Sequence, residues 1–484
     1  MSATVTRAPS SGRDASWLAG ADLIAVALAF TGQILLAHAL LAEHYGWMVL
    51  AIDLYASLFL IIDLGLPTLI ARDGTKAPSM VLPAVLRTYR WQVLAALPFL
   101  LFAVVLHPER WLGVNAPRTL LAFAALIALV HVASYAPRSG LRVLGEARLE
   151  ALSKVIERAV TVAAYGVLVS QGSTSATAFT GAFLLGALCG TSLALYWFVR
   201  TAPSHEGAPR WDQLGPSWSS ASALLFSALP FAITLGILPY VIRVEKFMVA
   251  GSSGAGLAAA FHVAQLAWLA GLVVPAAMRS ALLPVLGNVQ GLPHSHRREM
   301  NQAMDLCLGL LPVGLFGGYL IVANLAPLAF PEAYFDGTYG ASAVDVFAVL
   351  LGGWALTLLA TPTYTSLMAG PRPWRFTQFI LSVLSIAVVL GYLLVMRPTL
   401  PPGQILFAAA LASTASAGAL LVLSWWFSQE NAFVSARRDD WNLAFIGTVF
   451  VVAGLATQTY WWVLGLPLFA FTPRGWQAIR STLP

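Results

Sequence analysis

The stretch PYVIRVEKFMVAGSSGAGLAAAFHVAQLAWLAGLVVPAAMR, residues 239–279, joins two apolar runs through a glycine- and serine-rich turn at 251–256. Crossing a hydrocarbon core of ~30 Å takes ~20 helical residues. Lipid offers no partner to an open peptide group, so each apolar run of that length is read as a helix. The charges set this stretch apart. Only Phe247 to Ala250 separate Arg243, Glu245 and Lys246 from the turn, which places them about one turn inside the membrane boundary. Ionisable groups at that depth cost several kcal/mol unless they meet a cavity or a partner.

Working outward, fourteen such runs can be marked, roughly 17–41, 46–70, 91–107, 118–136, 152–171, 176–199, 221–249, 256–283, 303–327, 342–368, 376–396, 403–427, 441–457 and 459–474. Their connecting gaps alternate in charge. One side holds only Arg110, Arg118, Arg243, Lys246 and Arg397, and the other holds the remaining 22 of the 27 basic residues. Lys and Arg are retained in the cytoplasm during insertion, so the partition predicts a bacterial inner-membrane protein with both termini inside. A hydrophobic content of 58% with only 10% charged residues fits this class and not a soluble chain of 484 residues. The net charge of +6 is then a topology signal, reinforced by anionic lipid, and not a nucleic-acid footprint. Cys189 and Cys307 both fall in apolar runs and suggest neither a disulfide nor a metal site.

The expected organisation is all-α: a disordered cytoplasmic leader (1–16), an N-terminal six-helix bundle (17–199), a Pro/Gly/Ser-rich cytoplasmic linker (200–220), a C-terminal six-helix bundle (221–427), two additional transmembrane helices (441–474) and a cytoplasmic tail (475–484). The halves share features. Gly46 opens the second helix of the first half and Gly256 the second helix of the other. Pro137 precedes Gly145, and Pro362 precedes Gly370, by the same spacing near the inner end of each fourth helix. Repeated bundles of this kind form transporters that handle substrate at the repeat interface, so the reading is two pseudo-symmetric bundles and a helical hairpin around a central cavity.

Within that frame, Arg243, Glu245, Lys246, Arg279 and Arg72 are the candidate substrate-binding residues, because Arg and Lys side chains can hold phosphate oxygens. Asp53 and His262 lie at similar depth in the second helix of each half and are the candidate ion-coupling pair, a carboxylate and an imidazole able to exchange protons. Arg142 and Arg148, which follow the fourth helix, are either phosphate ligands or ordinary loop charges. Glu150, Lys154, Glu157 and Arg158 sit at i, i+3 and i, i+4 spacing and read as a local salt-bridge face. Nucleotide-binding, zinc-protease and nucleophile-elbow motifs are missing, so neither an enzyme, a metal site nor a cofactor is expected.

Three segments resemble the polysaccharide-transporter, or oligosaccharide flippase, family of the multidrug/oligosaccharidyl-lipid/polysaccharide superfamily. They are DLGLPTLIAR at 63–72, the run from Pro239 to Leu286, and PEAYFDGTYGASAVDVFAVLL at 331–351. The chain departs from that family's pattern in having Glu245, where Asp is more usual, with Lys246 directly after it. The resemblance implies a monomeric flippase for an undecaprenyl-diphosphate-linked oligosaccharide, working among membrane lipids and alongside polysaccharide polymerase and export proteins. The alternatives are a multidrug or metabolite antiporter of the same superfamily, or an integral-membrane polymerase or glycosyltransferase. The short external loops disfavour the enzyme.

Overall fold

A computed structural model describes residues 11–58, 60–106, 116–205, 207–241, 243–289, 292–370, 372–397 and 400–428. The two predicted spans at 441–457 and 459–474, the tail at 475–484 and most of the leader lie outside the described residues. Among the described residues, every regular element is helical. Eight helical stretches among the described residues are long and apolar enough to cross a membrane, including Gly20–Ala39, Arg118–Val143, Ala255–Arg279 and Pro402–Ser428. The protein is a multi-pass membrane protein.

The first predicted span is α1 (Ser11–Ala39). The second is not continuous: it is divided into α2 (Ala42–Ser57), α3 (Leu60–Asp63) and α4 (Leu66–Asp73). Leu64 and Gly65 take positive φ values of 55° and 67° at the second break. Three features cause it. The Asp63 side chain accepts the Gly65 N–H at 3.0 Å, closing a side-chain turn. Pro67 has no N–H to continue a helix through residue 63. The backbone around Ala228 also approaches Gly65 closely, so that an added Cβ would lie 2.5 Å from the Ala228 carbonyl oxygen. Gly65→Ala is therefore expected to destabilise the protein by about 1–3 kcal/mol, combining left-handed strain with a clash against backbone. The check is the melting temperature in detergent, with Gly166→Ala, whose Cβ meets nothing within 4 Å, leaving it unchanged or raised.

The third span, α5, runs Val81–Leu101 and ends in a π-helical turn at Phe102–Leu106. It begins well before the expected start at Trp91. Next come α6 (Arg118–Val143), α7 (Ala147–Ser170), α8 (Ala176–Thr201) and α9 (Ala221–Val241). A turn at residue 243 precedes α10 (Val244–Ser253), and the eighth span is divided into α11 (Ala255–Gly271) and α12 (Val273–Asn288). The ninth, α13 (Pro293–Ala329), extends well ahead of its expected start at 303 because it opens with a charged segment containing His294, His296, Arg297 and Arg298. Hydropathy measures only the part of a helix that lies in hydrocarbon, so charged extensions such as this one escape it. The remaining described spans are α14 (Ala343–Ala369), α15 (Pro373–Val395) and α16 (Pro402–Ser428).

The chain forms two compact units. Unit 1 comprises residues 1–243 with 253–259, and unit 2 comprises 244–252 with 260–484. In unit 1, α1 lies along α7, α7 and α6 both lie along α8, and α6 also packs on α2 and α4. Its core at the basic end gathers Leu66, Leu69 and Ile70 of α4, Met80, Val81 and Val85, Ala136 and Leu141 of α6, and Phe198 of α8. Leu214 and Trp218 of the predicted linker belong to the same core, as do Leu224 and Ala228 of α9. Residues 211–218 are thus folded as two 3₁₀ turns, and α9 packs in unit 1, whereas the sequence reading placed it in the second bundle. In unit 2, α14 is central and packs on α12, α13 and α16, while α15 packs on α16. Both fourth helices run through their internal prolines, Pro137 in α6 and Pro362 in α14.

Candidate functional site

Arg243 sits in a turn immediately ahead of α10 instead of within a helix. There its guanidinium reaches α2 inside unit 1. Arg243 Nη1 lies 3.3 Å from Asp53 Oδ1, with side-chain exposures of 26% and 14%. The same nitrogen approaches the Asp53 carbonyl oxygen at 3.5 Å. Two opposite charges that the sequence assigned to separate tasks, binding and coupling, are therefore one pair. Mutual neutralisation lets both be largely buried, and their partial exposure leaves guanidinium N–H groups available to a ligand.

Glu245 and Lys246 lie elsewhere. Both are on α10 and packed inside unit 2, with 0% and 1% exposure. Lys246 Nζ sits 2.9 Å from His262 Nδ1 on α11, which assigns the ring proton to Nε2 when the amine is charged. Glu245 Oε1 lies 3.4 Å from Ser416 Oγ of α16, and that hydroxyl also bonds the Ala412 carbonyl oxygen at 2.7 Å. Gln265 is fully buried one turn after His262. Glu245 and Lys246 are thus corrected from cavity-lining residues to buried members of a polar cluster that ties α10 to α11 and α16. Neighbours in sequence along a helix point to different faces, so the run Arg-Val-Glu-Lys could not be assigned as a block. Asp53 and His262 each find a partner within their own unit, Arg243 for the first and Lys246 for the second.

Arg279 of α12 is partly exposed and hydrogen-bonds the buried Tyr364 of α14. Arg72 is held in a different network. The Asp73 carboxylate, 2% exposed, accepts from Arg72 Nε at 3.1 Å and Nη2 at 2.8 Å, from Lys76 Nζ at 2.7 Å and from Trp218 Nε1 at 3.2 Å. Arg72 also reaches Ser217 Oγ at 3.2 Å. Arg87 donates to the Trp218 carbonyl oxygen at 2.8 Å and lies 4.4 Å over the Trp211 ring, which stacks on Trp218. Arg72 therefore anchors the connecting segment to unit 1.

Burial alone would raise the Asp73 carboxyl, but hydrogen bonds and charge from Arg72 and Lys76 outweigh it and hold the group below the usual carboxylate range. A depressed folded-state pKa adds stability that is complete above the unfolded value and disappears as pH falls through the folded one. Acidification through that range, or Asp73→Asn at neutral pH, is expected to release residues 211–218. Faster tryptic cleavage after Arg210 in the Asp73→Asn protein would register the release, and unchanged cleavage would contradict it.

A further polar centre was missed by the sequence reading. Arg138 of α6, 9% exposed at the side chain, donates to Glu157 Oε2 at 2.7 Å and to Ser153 Oγ at 3.2 Å. His131 Nε2 lies 3.1 Å from the other Glu157 oxygen. One turn along α6, Arg142 forms a two-point pair with Glu150. Beside these pairs is a cavity of about 350 Å³ lined by Asp63, Pro67, Thr68, Ala71, Tyr135, Arg138, Ser139, Arg142, Glu150 and Lys154. Glu150 and Glu157 serve as partners between helices, which corrects the local salt-bridge face. Of that face only the Lys154–Glu150 contact at 3.5 Å and the Arg158–Glu157 contact at 4.0 Å remain. The sequence carried the signal: Arg138 and Arg142 are four apart on α6, and Glu150 and Glu157 seven apart on α7, so each pair shares a helical face.

The fold is shared with solved transporters. The chain is similar to lipid II flippase MurJ in an inward closed conformation, with 12% identity and a TM-score of 0.64 over 95% of this chain and 97% of that one. It is also similar to an inward-facing multidrug resistance MATE family transporter of the MOP superfamily, with 14% identity and a TM-score of 0.60 over 85% and 96% of the two chains. An outward-facing structure of such a transporter matches with 13% identity and a TM-score of 0.57, covering 87% of this chain and 99% of that one. No protein-family model and no curated protein matches the sequence. At these identities the likeness establishes the fold, that of the MATE and MurJ transporters.

Proposed function

We propose that the protein is a flippase that carries an undecaprenyl-diphosphate-linked oligosaccharide from the inner to the outer leaflet of the bacterial inner membrane by alternating access. The basic bias of the gaps supports cytoplasmic termini. The observation that carries the reading is the Arg243–Asp53 pair: a largely buried guanidinium, 26% exposed, on a chain with the fold of a lipid II flippase. A guanidinium binds diphosphate oxygens through paired N–H groups, and the lipid tail can remain in hydrocarbon while the head group follows a polar path. Arg279 supplies a second partly exposed cation. Polysaccharide polymerase and export proteins would act on the product.

Deleting the chromosomal copy and restoring wild type or variants on a plasmid tests the proposal. Loss of surface polysaccharide, with the lipid-linked repeat unit accumulating on the cytoplasmic side, supports it. Normal polysaccharide in the deletion strain rejects it. Asp53 and His262 are proposed to couple transport to protons. Asp53→Asn is expected to cut export at least tenfold while the protein still inserts, and transport indifferent to collapse of the proton gradient would remove coupling from the account.

A further inference from the structure

We infer that the cavity in unit 1, enclosed by α3, α4, α6 and α7, binds a neutral, hydroxyl-bearing sugar unit and not a phosphate. Its volume of about 350 Å³ lies within the range of small-ligand pockets, and one monosaccharide ring fits it. The charges that line it are already matched. Arg142 is held by Glu150, Arg138 by Glu157, and Lys154 by Asp22 at 3.2 Å and Glu150 at 3.5 Å. A phosphate at these guanidinium groups would compete with carboxylates that are themselves buried, Glu150 at 1% and Glu157 at 3% exposure. Such paired planar groups, with Thr68 and Ser139 beside them, instead offer donors and acceptors side by side at little net charge. Hydroxyl groups, which both give and take hydrogen bonds, match that surface.

The deciding atom is Asp63 Oδ1. The residue is 2% exposed and lines the cavity, its Oδ2 is occupied by the Gly65 N–H, and Oδ1 has no hydrogen-bond partner. A buried carboxylate oxygen left without a donor is costly, and an occupant that brings a hydroxyl relieves that cost. A diphosphate ester at neutral pH presents only acceptors, whereas a sugar hydroxyl supplies what is missing. A small cation would also answer Oδ1, and the sodium and potassium arms of the test distinguish it from a sugar. Binding of a free sugar stands on this geometry alone. That the sugar belongs to the transported oligosaccharide rests on the flippase reading.

The test uses full-length protein in detergent micelles with glucose, galactose, rhamnose and N-acetylglucosamine, each examined by saturation-transfer difference NMR. Pyrophosphate is followed by phosphorus line width, and sodium and potassium by thermal shift. At least one sugar is expected to receive saturation, with affinity reduced roughly 10- to 100-fold in Asp63→Asn, which keeps the turn-forming oxygen but replaces the free acceptor with a donor. Ser139→Ala, which removes one hydroxyl and leaves the charge pairs alone, should weaken binding in the same direction and serves if Asp63→Asn does not fold. Transfer to none of the sugars, or transfer unaltered in a folded variant, overturns the inference. So does pyrophosphate broadening, or a cation-dependent shift, that Asp63→Asn abolishes. If a sugar binds here while the deletion strain makes normal polysaccharide, the flippase reading fails and this one stands.

Discussion

Arg243→Ala should reduce surface polysaccharide to background while leaving the protein in the membrane at a somewhat lower level. Two effects combine. The cargo loses a guanidinium for its diphosphate, and Asp53 loses the charge 3.3 Å away that keeps a largely buried carboxylate tolerable. Breaking a fully buried ion pair by removing one partner costs about 3–5 kcal/mol, and the partial exposure of this one reduces the figure to roughly 1–3 kcal/mol. The two effects separate in a double-mutant cycle. Asp53→Asn combined with Arg243→Gln removes both charges and should restore most of the thermal stability without restoring export. Export recovered in the double variant would show that the pair is structural and that the diphosphate is held elsewhere. The measurements are surface polysaccharide per cell and melting temperature in detergent, normalised to protein in the membrane fraction.

Glu157→Ala should give the largest loss of stability. It removes the partner of Arg138, whose side chain is 9% exposed, together with the acceptor facing His131. An uncompensated guanidinium inside a helical bundle costs about 3–5 kcal/mol, a large part of the total stability of a typical domain. Low expression and proteolysis are the expected phenotype. Replacing both members, as in Glu157→Met with Arg138→Met, should recover much of the loss, because the double variant leaves no charge unpaired. An unaltered melting temperature in Glu157→Ala would contradict the electrostatic account of how α6 holds α7.

Helices were legible in the sequence wherever hydrocarbon thickness dictated their length, as in α8 and α14 to α16. Boundaries were misread where polar residues continue a helix beyond the apolar run, as in α5 and the start of α13. Breaks inside spans were harder to see. The DLGLP segment contained the proline and the turn-forming Asp63, but average hydropathy passes over both, and the close approach of α9 to Gly65 is tertiary. At the site, the importance of Arg243 and Asp53 could be read from the cost of charge in lipid, while their pairing could not, because it joins α2 to the turn ahead of α10. Glu245 and Lys246 were grouped with Arg243 on adjacency alone, and the helix turns them into unit 2. Arg72 was flagged for its charge, and its commitment to Asp73, Ser217 and the linker depends on contacts distant in sequence. The Arg138–Glu157 pair was missed because only local spacings on α7 were weighed, not the matching face of α6.

Reconstitution tests the central claim most directly. The purified protein is placed in liposomes with a fluorescent undecaprenyl-diphosphate oligosaccharide in both leaflets, and a membrane-impermeant reagent consumes what reaches the outer surface. Wild-type protein should expose nearly all of the label, and Arg243→Ala vesicles should stop at the half that began outside. Labelled lipid that stays half-protected in wild-type vesicles, while a cationic dye is moved instead, would contradict the account and leave a multidrug antiporter in its place.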